Sequence, residues 1–196
     1  MVETITPVVH GGSRSRYVTS IVLHALGATV AAGLVGLLAG SLGALTGAPW
    51  GTIGWLVVGG SALVYALREI FRLPIPVPDR HRQVPLWWRS FYSPPVTAVL
   101  YGFGLGIGYL TYLSFGTYFV VTIAALAGGN PLMGMVLCAP FGLARALSVV
   151  LANRKVRGDV PSGIDRIDDL AATRWPSLVN AGVLVLVLFV ASLALI

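Results

Sequence analysis

Between Arg16 and Arg68, and again between Arg89 and Arg145, the chain carries no Asp, Glu, Lys or Arg. The stretch after Arg174 is equally bare. Apolar runs of this length need helices, because a backbone amide in lipid finds no water and must be satisfied within its own segment. A β-barrel would instead alternate polar and apolar residues over segments of about ten residues, and that alternation is missing. Composition agrees. Hydrophobic residues make up 56% of the 196 and charged residues 10%, too few charges to cover a soluble domain of this size. The fold class is an all-α integral membrane protein.

Five membrane helices are expected, at about 19–46, 51–71, 95–127, 131–152 and 175–196. A polar segment at 1–18 precedes a single transmembrane helical domain at 19–196. The first apolar stretch far exceeds the ~7–15 residue core of a cleavable signal peptide, so it reads as a membrane helix. Of the thirteen Lys and Arg, two precede helix one, five fall between Arg68 and Arg89, and five between Arg154 and Arg174. The turns at 47–51 and 128–131 have none. Lys and Arg collect on the cytoplasmic side. That bias predicts an N-terminus inside, a C-terminus outside and cytoplasmic loops at 72–94 and 153–174, in a prokaryotic inner or plasma membrane. The net charge of +6 is thereby assigned to topology and to anionic lipid. A nucleic-acid surface would need a basic face with interleaved aromatics on a soluble domain. Trp87, Trp88, Phe91 and Tyr92 read as an aromatic belt at re-entry, and Ile164–Ala171 as a short amphipathic surface helix. Arg68 and Glu69 read as interfacial charges that snorkel rather than as a buried ion pair.

Glycine spacing says how the helices meet. Gly33, Gly36, Gly40, Gly43 and Gly47 recur at 3, 4, 3, 4 on one face of helix one, and Gly134, Cys138, Gly142 and Ala146 recur every fourth residue in helix four. Such stripes admit a second helix at close range; the alternative use, a conduit lined by exposed backbone, is the weaker reading. Helix three is too long for a simple span of about 20 residues. It is therefore tilted, projecting, or broken near Gly104–Ser114. Residues 54, 66 and 67 match 134, 146 and 147 at an offset of eighty, a faint internal repeat weighed evenly against chance.

The chemistry-bearing residues converge on helices three and four. Gly104 and Gly108 precede a run of hydroxyls that includes Tyr109, Thr111, Tyr112, Ser114, Thr117 and Tyr118. Helix four adds Pro140 and Arg145, the only arginine well inside an apolar run. A central membrane arginine costs about 2.5–3.5 kcal/mol on insertion scales, so such residues pair, line a pathway or snorkel. Its candidate partners are the hydroxyls of helix three, the carbonyls of a broken helix, or an anionic substrate. Catalysis finds no support: there is no Ser–His–Asp set, no HExxH and no carboxylate pair within the helices. His24 stands alone among the membrane helices, which favours an interhelical hydrogen bond over haem or metal ligation. His81 has no second ligand at metal spacing. Cys138, the single cysteine, excludes an internal disulfide. No cofactor or metal is expected.

The run GLGIGYLTYLSFGTYFVVTIAALAGGNPLMGMVLCAPFGLARAL resembles the second repeat of the CcdA/DsbD-type transmembrane carriers, within the LysE-like transporter superfamily. The resemblance covers about fifty residues, and its motif is dominated by Gly and Ala. It implies a helix break bearing function at Thr111 and Tyr112. The family's reactive Pro-Cys is replaced by Leu110-Thr111-Tyr112 and helix one has no cysteine, so its redox role does not carry over.

Together these features predict a non-enzymatic transporter of a small solute or ion, with an anion as the natural guest, acting at the glycine-rich break. Midplane sites on broken helices are a transporter device. The alternative is a non-catalytic subunit or assembly factor of a larger membrane complex. Partners beyond the bilayer would be a second copy of the chain or another membrane protein, not nucleic acid.

Overall fold

A computed structural model describes residues 14–78, 84–85, 87–111, 113, 115–155 and 174–195. Among them are seven helices: α1 (Arg14–Leu45), α2 (Gly51–Phe71), α3 (Trp88–Phe91), α4 (Pro94–Ile107), α5 (Thr117–Gly128), α6 (Pro131–Lys155) and α7 (Trp175–Leu193). No strand occurs among the described residues. Four helices, α1, α2, α6 and α7, are long and apolar enough to cross a membrane; α4 and α5 are shorter apolar helices. The expected third helix is thus two, separated by residues 108–116. Helix one starts at Arg14 rather than near Thr19. The surface helix expected at Ile164–Ala171 lies outside the described residues.

α1 is the post on which the fold is hung. Its interior face is made of small residues, with Ala28, Ala31 and Ala32 fully buried. Its large residues point outward: every fourth position from Val18 through Val22, Leu26, Val30, Leu34 and Leu38 to Leu42 is exposed. A soluble protein buries such side chains. The reversal suits a helix whose outer face meets lipid and whose inner face meets backbone.

The glycines set the register. A Cβ on Gly36 would lie 2.0 Å from the Gly134 carbonyl oxygen, and one on Gly142 would lie 2.0 Å from that of Ala28. So α6 runs antiparallel to α1 with the two backbones touching. On another side, a Cβ on Gly102 would sit 2.1 Å from the His24 carbonyl oxygen and one on Gly106 2.1 Å from that of Ala28. α4 therefore runs parallel to α1. Further along, Gly43 lies against Leu126 and Gly40 against Asn130, so the chain from Gly102 to Leu126 climbs α1 from His24 to Gly43. Gly33 faces the Met135 side chain. Gly47, by contrast, lies past the end of α1 at φ 82°, where a Cβ would meet nothing within 4 Å.

Shifted by eighty residues, Arg14 falls on Pro94 and Gly51 on Pro131. The hairpin α1–α2 and the unit α4/α5–α6 thus share order, length and direction, one intact and the other broken. Their turns pack together. Gly129, in the left-handed region at φ 63°, closes α5 through its N–H to the Ala125 and Leu126 carbonyls, as a helix-ending glycine does. Asn130 then starts α6, accepting the Met133 amide at 3.0 Å on its Oδ1, with Pro131 as the first helical residue. Across the turns, the Trp50 amide donates to the Ala127 carbonyl at 3.2 Å.

α2 pairs with α7, and Val58, Ala62 and Leu184 are buried in the cluster they share with Tyr118, Val120 and Cys138. At the end of α2 the chain reverses through Arg72, a non-glycine residue at φ 53°. That reversal corrects the expectation for Arg68 and Glu69. Rather than snorkelling separately, they form an ion pair, with the Glu69 side chain 4% exposed. The returning strand of chain supplies the reason: the Ile75 carbonyl accepts Arg68 Nε at 2.7 Å and holds the guanidinium beside the carboxylate.

Backbone-on-backbone contact leaves no side chain to rotate away, so even one methyl must separate the helices. Gly36→Ala is expected to cost at least the ~1–3 kcal/mol of core overpacking and to lower thermal stability in detergent. Gly60→Ala, where a Cβ meets nothing within 4 Å, should be neutral or stabilise by up to about 1 kcal/mol. Equal effects of the two substitutions would contradict this packing.

Candidate functional site at the broken helix

α4 ends where its glycines run out of alternatives. Glycine is a poor helix former, and Gly102, Gly104 and Gly106 stay helical on close packing: two lie against α1, while Gly104 faces the Val84 side chain. Gly108 leaves the helix at φ 73°, ψ −63°, a conformation open to glycine and strained for other residues. It is required sterically as well, since a Cβ there would meet Tyr118 at 2.6 Å. At the far end of the break a Cβ on Gly116 would meet the Tyr65 ring at 2.2 Å.

Ending a helix inside an apolar body exposes carbonyls that water would otherwise take. Part of the need is met locally: the Gly108 amide donates to the Leu105 carbonyl at 3.2 Å and the Thr111 amide to that of Gly108 at 3.0 Å. Arg145, from α6, adds a second donor at this end. Its guanidinium donates to the Leu105 carbonyl at 3.2 Å and to Thr111 Oγ1 at 3.1 Å. The Thr111 hydroxyl in turn donates to the Gly108 carbonyl at 3.1 Å. A cation thus sits at the C-terminal, partially negative end of α4, where the helix dipole favours it. Of the three kinds of partner expected for Arg145, two are present in the chain itself: a broken-helix carbonyl and a helix-three hydroxyl.

Aromatic rings continue the cluster. The Arg145 guanidinium lies 5.6 Å from the Phe141 ring centroid, within cation–π range. Phe141 stacks on Tyr118 with centroids 3.7 Å apart, and Tyr118 leans on Tyr109 at 5.3 Å. Tyr109 donates to Thr122 Oγ1 at 2.8 Å, and Thr122 to the Tyr118 carbonyl at 2.8 Å. The Tyr118 hydroxyl is buried with no hydrogen-bond partner among the described residues. His24 bridges α1 and α4, with Nδ1 3.3 Å from the Ala98 carbonyl oxygen.

Of the residues singled out from sequence, Arg145, Thr111 and Gly108 come together. Gly104 lies elsewhere, against Val84. Pro140 is on the exposed side of α6. Thr117 donates to Asn180 Oδ1 and so ties α5 to α7. Tyr112 and Ser114 lie outside the described residues. Phe141 was missed, although its position four residues before Arg145 places both on one helix face. That spacing was the available signal.

No protein-family model matches the chain, and no solved structure matches it. Curated relatives do. The chain is similar to the methylamine utilization protein MauF of Paracoccus denitrificans, 32% identical over 136 residues, covering 69% of this chain and 49% of that protein. The MauF of Methylophilus methylotrophus is 32% identical over 147 residues, covering 71% and 50%. That of Paracoccus versutus is 36% identical over 132 residues, covering 65% and 47%. The chain spans about half the length of the curated relatives it matches. These findings overturn the resemblance to CcdA/DsbD-type carriers: the relatives carry another name, and a match resting on Gly and Ala reflected membrane-helix composition rather than descent.

The guanidinium at the break is expected to matter to stability. Arg145→Ala removes one of the two donors to the Leu105 carbonyl and the charged donor to Thr111 Oγ1, and should cost about 1–3 kcal/mol. Arg145→Lys should recover part of that, because an ammonium lacks the planar fork. Thr111→Val should cost ~1 kcal/mol, and the double variant less than the sum, because the two groups share a bond. Unfolding in detergent would measure all four; strict additivity would dismantle the shared network.

Proposed function

We propose that this chain is a membrane-embedded, non-catalytic subunit or assembly factor that serves methylamine utilization through a larger protein partner. The observation that carries the reading is the similarity, over 69% of the chain, to proteins named for methylamine utilization. The geometry supports it. A transporter of an anion would want Arg145 available to its cargo, and here the guanidinium is engaged with Leu105 and Thr111. The cluster at the break reads as a structural joint.

The membrane arrangement belongs to the same reading. α4 and α5, end to end alongside α1, form one crossing, which gives five crossings with α1, α2, α6 and α7. Arg14, Arg16, Arg68, Arg72 and Arg174 fall at one end of the bundle and the uncharged turns at the other. By the positive-inside bias this supports an N-terminus inside and a C-terminus outside, in a prokaryotic cell membrane. The glycine face of α1 is filled by the chain's own α4, α5 and α6, so a partner must dock elsewhere, on the exposed aliphatic faces or the basic end.

Two measurements test the proposal together. Deleting the gene in its host should abolish growth on methylamine and spare growth on ammonium with another carbon source. Gentle detergent extraction from the native membrane should yield the chain bound to a larger partner at fixed stoichiometry. A species containing this chain alone, which accumulates labelled methylamine when placed in liposomes, would restore the transporter reading and end this one.

A further inference from the structure

At the end of α2 a cavity of about 240 Å³ is lined by Arg68, Glu69, Arg72, Leu73, Phe115 and Ser177. Its walls come from three parts of the fold: the α2 terminus with the chain reversal, the last residues of the helix break, and the first turn of α7. Among the described residues the charge on those walls does not cancel. Glu69 is already neutralised by Arg68, which leaves Arg72 as the surplus cation. Arg72 is exposed and is held at φ 53°, with its amide fixed to the Arg68 carbonyl. Ser177 adds a hydroxyl from a helix start with no side-chain cap.

From this the geometry points to a binding site for a phosphate-bearing anion, with Arg72 and the Ser177 hydroxyl as its contacts. A guanidinium beside a hydroxyl is suited to phosphate oxygens, which accept charge-assisted hydrogen bonds. The Arg68–Glu69 pair forms the rigid back wall, and Phe115 offers an apolar surface to whatever the phosphate is attached to. The cavity lies at the basic end of the bundle, where an anionic lipid headgroup is the nearest source of phosphate; a free phosphate ester is the other. The site is independent of the assembly-factor reading and stands or falls separately from it.

The test uses the full chain in mild detergent. Native mass spectrometry with phosphatidylglycerol, against phosphatidylcholine, reads lipid binding; thermal unfolding with inorganic phosphate reads the free anion. Wild type should retain one phosphatidylglycerol, and Arg72→Gln and Ser177→Ala should each weaken retention about tenfold. Arg72 is exposed and Ser177 half-buried, and an unchanged melting temperature without ligand confirms that the variants fold. Arg16→Gln, at the same end but outside the cavity, should retain lipid like wild type. Stabilisation by inorganic phosphate that Arg72→Gln abolishes, without lipid retention, would support the site and name the free anion as its ligand. Binding of neither probe, or equal loss in Arg16→Gln, would overturn it.

Discussion

The fold depends on α1 being thin. Helices in lipid gain little from burying apolar surface against one another, so association must come from close packing and from polar contacts. α1 meets α4, α5 and α6 where a glycine on one side or the other lets a helix touch a carbonyl: Gly102 on His24, Gly106 and Gly142 on Ala28, Gly36 on Gly134, Gly43 on Leu126. Ala28 receives two helices at once, α4 through Gly106 and α6 through Gly142. A larger residue at either glycine would move a whole helix, and the break, which lies beside this point, would move with it.

That neighbourhood explains how a break is tolerated in an apolar body. Interrupting a helix leaves carbonyls that lipid cannot satisfy, and a membrane arginine is costly unless given partners. Each liability answers the other. Arg145 takes the Leu105 carbonyl and the Thr111 hydroxyl, while Phe141 covers one side of its guanidinium. Neither the break nor the arginine reads as favourable alone, and together they form one joint between α4 and α6.

Much of this was legible in the sequence, for reasons that also mark its limits. Periodicity names a face, so the stripe from Gly33 to Gly43 announced close contact but not with which helix; the neighbour is set by the fold's topology. The Gly-Gly-Asn-Pro turn carried its own chemistry and fell where expected. The excessive length of the third segment left a tilt, a projection or a break near Gly104–Ser114 open, and the structure has a break, at 108–116. Arg145 announced the need for partners, yet the Leu105 carbonyl as its acceptor was invisible, because any residue supplies a carbonyl. Arg68 and Glu69 were misread since adjacent helical residues point apart, and only the reversal at Arg72 brings Ile75 back to hold them together. Similarity to known proteins was the least legible of all: a motif of Gly and Ala satisfies many membrane helices equally.

The repeat offset gives the break a sharper meaning. Shifted by eighty, Tyr65 of α2 falls on Arg145 of α6. These two positions, eighty residues apart, attend opposite ends of the same interruption. Arg145 holds its beginning, at Leu105 and Thr111; the Tyr65 ring fills the space that a Cβ on Gly116 would need, and its hydroxyl donates to the Pro76 carbonyl at 3.2 Å. The intact hairpin therefore contributes packing where the broken one contributes charge. The carbonyl end of α4 demands donors, one of which Arg145 supplies, while at the restart, whose first amides equally need acceptors, the part played by Tyr65 is packing beside Gly116. Arg145 and Tyr65 thus attend the two ends of an interruption that Gly108 and Gly116 make sterically possible.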